Sequence, residues 1–304
     1  MRFAVKLLLV FGMVVSAAPP FVSAVPQEQD EDVRGAFLTT RPKKSAKPSA
    51  GKAPKAVRRR PKATPAGPAS TTSTKPVNKS TPVKTADTDP PRVRAQKIGL
   101  GLTLFMRDSN GLSVRVDPSR EFRQNERVRL LLETNVDGYL YIFNTTDGGQ
   151  PTMIYPDPDL DEAGNYIQAH VPVEVPSSTA GEERLRWFRF DDQAGVERLY
   201  FVFTREPLSG IPLEDELISF CRSSNQNCPM KPAEELWAQV QKDLSDPVKG
   251  VKSKEYGSAQ SQNEQLASTR GIGLNKDDPE PSLLVMTAST TAKKLVTTID
   301  LIHK

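Results

Sequence analysis

The sequence predicts a mainly β fold, an antiparallel sandwich or barrel, preceded by a long segment that cannot build a core of its own. Short apolar runs follow one another from Ile98 to Arg205 (IGLGLTLFM, SVRVD, RVRLLLE, GYLYIFN, PTMIYP, AHVPVEVP, RWFRFDD and RLYFVFTR), separated by turn formers at residues 108–111 and 147–149. Several of them alternate with a period of two. Val128, Leu130 and Leu132 stand against Arg127, Arg129 and Leu131, and Tyr139, Tyr141 and Phe143 against Leu140 and Ile142. That alternation fits antiparallel strands, whereas a parallel sheet would need helical crossovers between them. Ahead of these runs, residues 25–95 hold almost no aromatic or aliphatic content after Phe37 and Leu38.

Taken in order, residues 1–24 read as a secretory signal peptide. Arg2 and Lys6 precede the apolar run from Leu7 to Val15, and Val22-Ser23-Ala24 supplies small residues for a cut. The apolar run is short for a bilayer, and no later stretch is apolar enough to span one, so no transmembrane segment is expected once the signal is removed. Residues 25–95 read as a disordered basic linker of Pro, Lys, Ala, Ser and Thr, because so little apolar surface cannot offset the entropy of ordering. A coil of roughly sixty residues spans about 45 Å, enough to act as a tether.

The module is expected over residues 96–304. GYLYIFN and RLYFVFT are apolar on both faces and belong at the centre of the packing. A helical excursion over about 211–245 follows from Pro212, Glu214 and Asp215 ahead of Leu213, Leu217 and Phe220. Pro232, Glu234 and Glu235 repeat the signal ahead of Leu236, Trp237, Val240 and Leu244. Residues 246–280 read as a polar loop. Closing strands are expected over about 282–303 (SLLVMTAS and KKLVTTIDLIH), returning to the sheet so that Ile299 and Leu301 lie beside early strands.

Net charge divides the chain. Between Arg41 and Lys84 there are thirteen Lys or Arg and no acid; from Lys97 to Lys304 there are 23 basic against 31 acidic residues, a net of −8. The basic segment, densest at Arg58, Arg59 and Arg60, is a candidate contact for an anionic polymer or membrane surface, and equally a solvated linker. Nucleic acid is a poor fit for an exported chain. Cys221 and Cys228, with six residues between them, read as a small disulfide loop in an oxidising compartment.

FRQNERVRLLLETNVDGYLYIFNTTDGGQPTMIYPDPD, with VPVEVP, WFRFDD and GVERLYFVFTREPL after it, resembles the bacterial domain-of-unknown-function family 4384. The resemblance rests on the alternating Arg, Val and Leu strand, Asp137 to Tyr141, Tyr155-Pro156 and Thr204 to Pro207. It covers about residues 97–208 and extends in outline to the C-terminal strands. It implies an immunoglobulin-like antiparallel β-sandwich, here with two short helices inserted before the C-terminal strands. It implies no activity and no site residues.

Chemistry is thinly marked. His170 reads as a strand-end polar residue and His303 as a frayed terminus, and neither sits in a nucleophile, zinc or phosphate-loop motif. No catalytic residue and no cofactor is therefore assigned. Asp157, Asp159 and Asp161 alternate in YPDPDLDEAGNY like a weak calcium loop. The sixth position is Glu162 where Gly is wanted and the twelfth is Gln168 where Glu is wanted, so the stretch reads as a turn after Tyr155-Pro156. These features describe a periplasmic, envelope-associated or secreted binding module that is not catalytic, with an envelope protein or anionic envelope polymer as its partner. An envelope hydrolase or polysaccharide-processing enzyme with an unmarked site is the alternative.

Overall fold

Two β-sheets and four helices make up the described part of the chain, residues 27–43, 96–160, 164–223, 228–253 and 255–304 of the computed structural model. Helix α1 (Gln27–Leu38) comes first. Ten strands follow: β1 (Gly99–Arg107), β2 (Ser113–Arg115), β3 (Glu121–Phe122), β4 (Arg127–Thr134), β5 (Gly138–Thr146), β6 (Thr152–Tyr155), β7 (Tyr166–Ile167), β8 (Val173–Val175), β9 (Phe188–Arg189) and β10 (Gly195–Thr204). The chain ends with α2 (Asp215–Arg222), α3 (Glu234–Asp243), β11 (Val248–Lys252), α4 (Gln262–Arg270), β12 (Leu283–Thr287) and β13 (Lys294–His303). No helix among the described residues is long and apolar enough to cross a membrane.

The first sheet runs β11-β12-β1-β4-β8, with β2 beside β1 and β9 beside β4. The second runs β3-β13-β10-β5-β6, with β7 beside β5. Neighbouring strands are antiparallel except β3 and β13, which run parallel. The alternation in the sequence sets which side chains point inward. Leu100, Leu102 and Leu104 of β1 and Val128, Leu130 and Leu132 of β4 meet Leu140, Ile142, Leu199, Phe201, Phe203, Leu295 and Leu301 of the second sheet in one core. β10 lies between β5 and β13, and the central residues of β5 and β10 are buried on both faces, as their unbroken apolar runs predict.

The reason for that double burial lies on the far side of the second sheet. Tyr141, Phe143, Tyr200, Val202 and Val296 form a second cluster there beneath α2 and α3, with Trp237 edge-on to Phe143 and Tyr200. The two helices expected from the sequence therefore exist and cover a sheet face. Cys221, in the last turn of α2, is bonded to Cys228 with its Cα atoms 5.5 Å apart.

Three expectations need correction. The linker reading of residues 25–95 fails at its start: α1 is helical and packs Val33 and Phe37 on Val251, Leu284 and Met286, outside the first sheet. Residues 44–95, with Arg58, Arg59 and Arg60, lie outside the described residues, as do residues 1–26. The polar loop at 246–280 contains β11 and α4. Helix α4 begins at a reciprocal capping box, in which the Ser261 side chain accepts from Glu264 N–H and the Glu264 side chain accepts from Ser261 N–H, and it ends at left-handed Gly271. Ser-x-x-Glu was the signal for it, but the mean polarity of the segment hid it. His303, finally, is not frayed: it pairs with Gly195 in β13 and is buried against Phe190.

Phe201, fully buried where the sheets meet, sets a first test: Phe201→Ala is expected to cost about 3–5 kcal/mol in urea unfolding. Replacing both Cys221 and Cys228 by Ser opens a loop of sequence separation 7 and is expected to cost roughly 2 kcal/mol by the chain-entropy argument. The same loss under reducing conditions would confirm the bond in solution.

Candidate functional site

The outward face of the first sheet is where charged residues gather. Because β4 points Val128, Leu130 and Leu132 into the core, Arg127, Arg129, Leu131 and Glu133 point the other way. Strand pairing arranges these and their neighbours in rows. Arg127 of β4 lies directly opposite Arg189 of β9. The pair Met106↔Val128 of β1 and β4 sets Arg107 level with Arg127, one step further along. Three arginines thus stand in one row across three strands.

Like charges facing each other across a ladder repel, so this row costs stability unless something compensates it. Compensation is partial. Arg107 donates to Glu183 at 2.6 Å. That hydrogen bond, with the charges of Arg107, Arg127 and Arg186, holds the Glu183 carboxyl below the usual carboxylate range although it is exposed. Among the described residues, no carboxylate pairs with Arg127 or Arg189. Beside the row lies an open depression of about 350 Å³, lined by Arg107, Asp108, Ser109, Gly111, Asn125 and Arg127. Its turn is fixed by Asp108, whose carboxylate accepts from Asn110 N–H and Leu112 N–H. An Arg-lined concavity of this kind suits carboxylate, sulfate or phosphate oxygens, which guanidinium forks match in geometry.

Further along the same face the charges are buried and paired. Arg115 and Arg129 flank Phe105 across β2, β1 and β4. Arg115 reaches Glu264 of α4 and donates to the Glu280 carbonyl at 2.8 Å. Arg129 lies over the Trp187 ring at 4.0 Å, donates to the Arg186 carbonyl and stands 3.8 Å from Glu174. Glu133, one turn of the pleat beyond Leu131, takes two hydrogen bonds from Arg41, at 2.8 and 2.6 Å, and a third at 2.8 Å from His170 Nδ1. The other ring nitrogen of His170 meets the Thr40 hydroxyl at 2.8 Å. Arg41 spends its remaining donors on the carbonyls of Asn275, Asp278 and Pro279.

The Thr40, His170 and Glu133 line has the spacing of a hydroxyl–imidazole–carboxylate relay. Its setting is that of a clamp: Glu133 is bound twice by a guanidinium, and Thr40 Oγ1 stands 2.5 Å from the Phe37 carbonyl at the C-terminal end of α1. His170, read from the sequence as a strand-end residue, is buried with positive φ of 60°.

Of the candidate calcium ligands, Asp157 is buried and its carbonyl accepts from Leu160 N–H in a short 3-10 turn over Pro158–Leu160; Asp161 lies outside the described residues. Tyr155, at the start of that corner, is buried and donates its hydroxyl to the Gly164 carbonyl at 3.2 Å. Among the described residues, no three His, Cys, Asp or Glu side chains gather as a metal site. Both the arginine row and the buried pairs escaped sequence reading. Their strand phase was legible, but nothing local says that Arg127 and Arg189 become neighbours sixty-two positions apart in sequence.

Residues 121–207 match the family model described as Domain of unknown function (DUF4384). The match takes in Arg127 and Arg189 of the row, along with Glu133, His170 and Glu174, while Arg41, Arg107, Arg115 and Glu264 lie outside it. No curated protein and no solved structure matches the chain.

If the row is self-repelling, Arg189→Gln should leave stability unchanged or raise it by about 0.2–1 kcal/mol at low salt. The gain should fade toward 1 M salt, where the screening length falls to about 3 Å. Chemical denaturation in urea at both salt concentrations measures it.

Proposed function

We propose that this chain, which carries a DUF4384 domain at residues 121–207, is an exported, non-catalytic binding module of the bacterial cell envelope that holds an anionic envelope polymer. In this reading the two sheets form an immunoglobulin-like sandwich used as a scaffold. The observation that carries it is the row Arg107, Arg127 and Arg189 on a body whose net charge is −8. A protein that needs only solubility gains nothing from aligning three like charges. A ligand with repeating negative groups relieves their repulsion and adds charge-assisted hydrogen bonds. The open shape of the depression suits a chain passing over it better than a small molecule enclosed within it.

Other features support the reading. The Cys221–Cys228 bond fits an oxidising compartment. The basic segment around Arg58, Arg59 and Arg60 would supply a second, sequence-tolerant attraction to the same polyanion, since basic runs raise the local concentration of counter-charge without specificity. Tether and row would then act together, the first capturing and the second orienting.

Binding to immobilised anionic polysaccharide or polyphosphate, followed over a salt series, tests this. Arg107→Gln, Arg127→Gln and Arg189→Gln together are expected to weaken binding by well over tenfold, since each charged hydrogen bond contributes about 1.5–3 kcal/mol. Replacing Arg58, Arg59 and Arg60 by Gln should weaken it less and should not abolish it. A triple variant of the row that binds like the parent, with an unchanged salt dependence, would sink the proposal.

A further inference from the structure

Residues 27–43 are attached to the rest of the described structure in an unusual way. They donate no strand to either sheet. Among the described residues, backbone bonding to the body comes down to Lys276 N–H on the Pro42 carbonyl, and the rest passes through side chains. Arg34 donates to Glu280 at 2.6 Å and to the Lys252 carbonyl at 2.9 Å. Phe37 fills a slot over Gly99, where a Cβ would lie 2.7 Å from its Cδ2, and packs edge-on to His170 with ring centroids 5.5 Å apart. Arg41, four residues on and past the end of α1, enters a pocket that satisfies its guanidinium with the Glu133 carboxylate and three backbone carbonyls.

This is how a receptor holds a peptide: an aromatic anchor in the last turn of a helix and an arginine anchor four residues on, in the turn that follows it, each seated in a depression of the body. The acceptor groups all belong to the body. Glu133 sits on β4, and the carbonyls belong to the 275–279 loop, braced where the Asp278 carboxylate accepts hydrogen bonds from Asn275 and Asn263. Leu274 N–H on the His170 carbonyl fixes that loop to the sheet.

We propose that residues 27–43 are a separable peptide ligand of this chain, and that the outer face of the first sheet carries their receptor, a phenylalanine slot over Gly99 and a guanidinium pocket centred on Glu133. The occupant is this segment itself, held by covalent linkage at an effective concentration on the order of millimolar. When it leaves, Glu133 meets water and is not stranded, so release costs binding energy without collapsing the body. The site lies apart from the arginine row and does not rest on the anion-binding reading.

The test uses the full chain with a specific protease site inserted between residues 44 and 95. After cleavage, the nicked protein is mixed with a fluorescent synthetic peptide of residues 27–43, and anisotropy and size-exclusion elution are followed. Saturable, reversible exchange of the labelled peptide into the nicked protein is expected, with the body retaining its circular dichroism after the segment has left. A peptide carrying Arg41→Ala is expected to bind roughly thirtyfold more weakly or worse, and one carrying Phe37→Ala to lose affinity as well. Placing the changes in the peptide keeps the body's own folding out of the comparison. Either of two results overturns the proposal: a nicked segment that never exchanges until the body unfolds, or a segment that departs and shows no rebinding of wild-type peptide.

Discussion

A carboxylate at Glu133, 2 % exposed and pointing away from the hydrophobic core, is the constraint to which the outer face of the first sheet is fitted. An ionised carboxylate removed from water is costly unless its oxygens are hydrogen-bonded and its charge opposed. Arg41 supplies the charge and two hydrogen bonds, and His170 supplies a third. To place those donors, the chain must bring residues 27–43 back onto the sheet, and it must turn His170 through a left-handed backbone conformation. It must also lay the 275–279 loop where its carbonyls complete the Arg41 pocket. Gly99 and Gly101 on β1 follow from the same need, since a Cβ at either would strike Phe37 or Pro281 of the covering layer.

The two sheets solve the problem of their outer faces by different chemistry. The second sheet buries Tyr141, Phe143, Tyr200 and Val202 under two amphipathic helices, which is ordinary apolar burial and tolerant of small shifts. On the first, covering elements are fastened through Arg41–Glu133 and Arg115–Glu264, while Arg129 and Glu174 pair within the face. Buried ion pairs add little net stability compared with apolar packing, but they penalise every arrangement that leaves one partner alone. Such a face has one correct cover and a directional way of recognising it. Where the cover ends, the unpaired arginines begin, and the same sheet passes from internal recognition to a surface facing solvent.

Much of this was legible in the sequence, and the rest failed for identifiable reasons. Strand phase in RVRLLLE and GYLYIFN follows from alternation alone, because the core selects every second residue. Helices α2 and α3 announced themselves through proline and acidic starts ahead of apolar stripes. Helix α1 did not, because QEQDEDVRGAFL offers only Val33, Phe37 and their neighbours as an apolar face, and its burial depends on a sheet far along the chain. Helix α4 had its capping box in plain view but no apolar stripe to go with it. The arginine row was unreadable in principle from local pattern: register between strands distant in sequence makes it, and no residue in the row is unusual by itself.

Arg41 and Glu133 recognise each other, beyond each merely filling space. A double-mutant cycle with Arg41→Ala, Glu133→Gln and the two together, measured by urea unfolding of the full chain, isolates that term. A coupling energy of roughly 1.5 kcal/mol or more is expected, in the range of close desolvated charge pairs. A coupling near zero, with the two single losses simply adding, would contradict it.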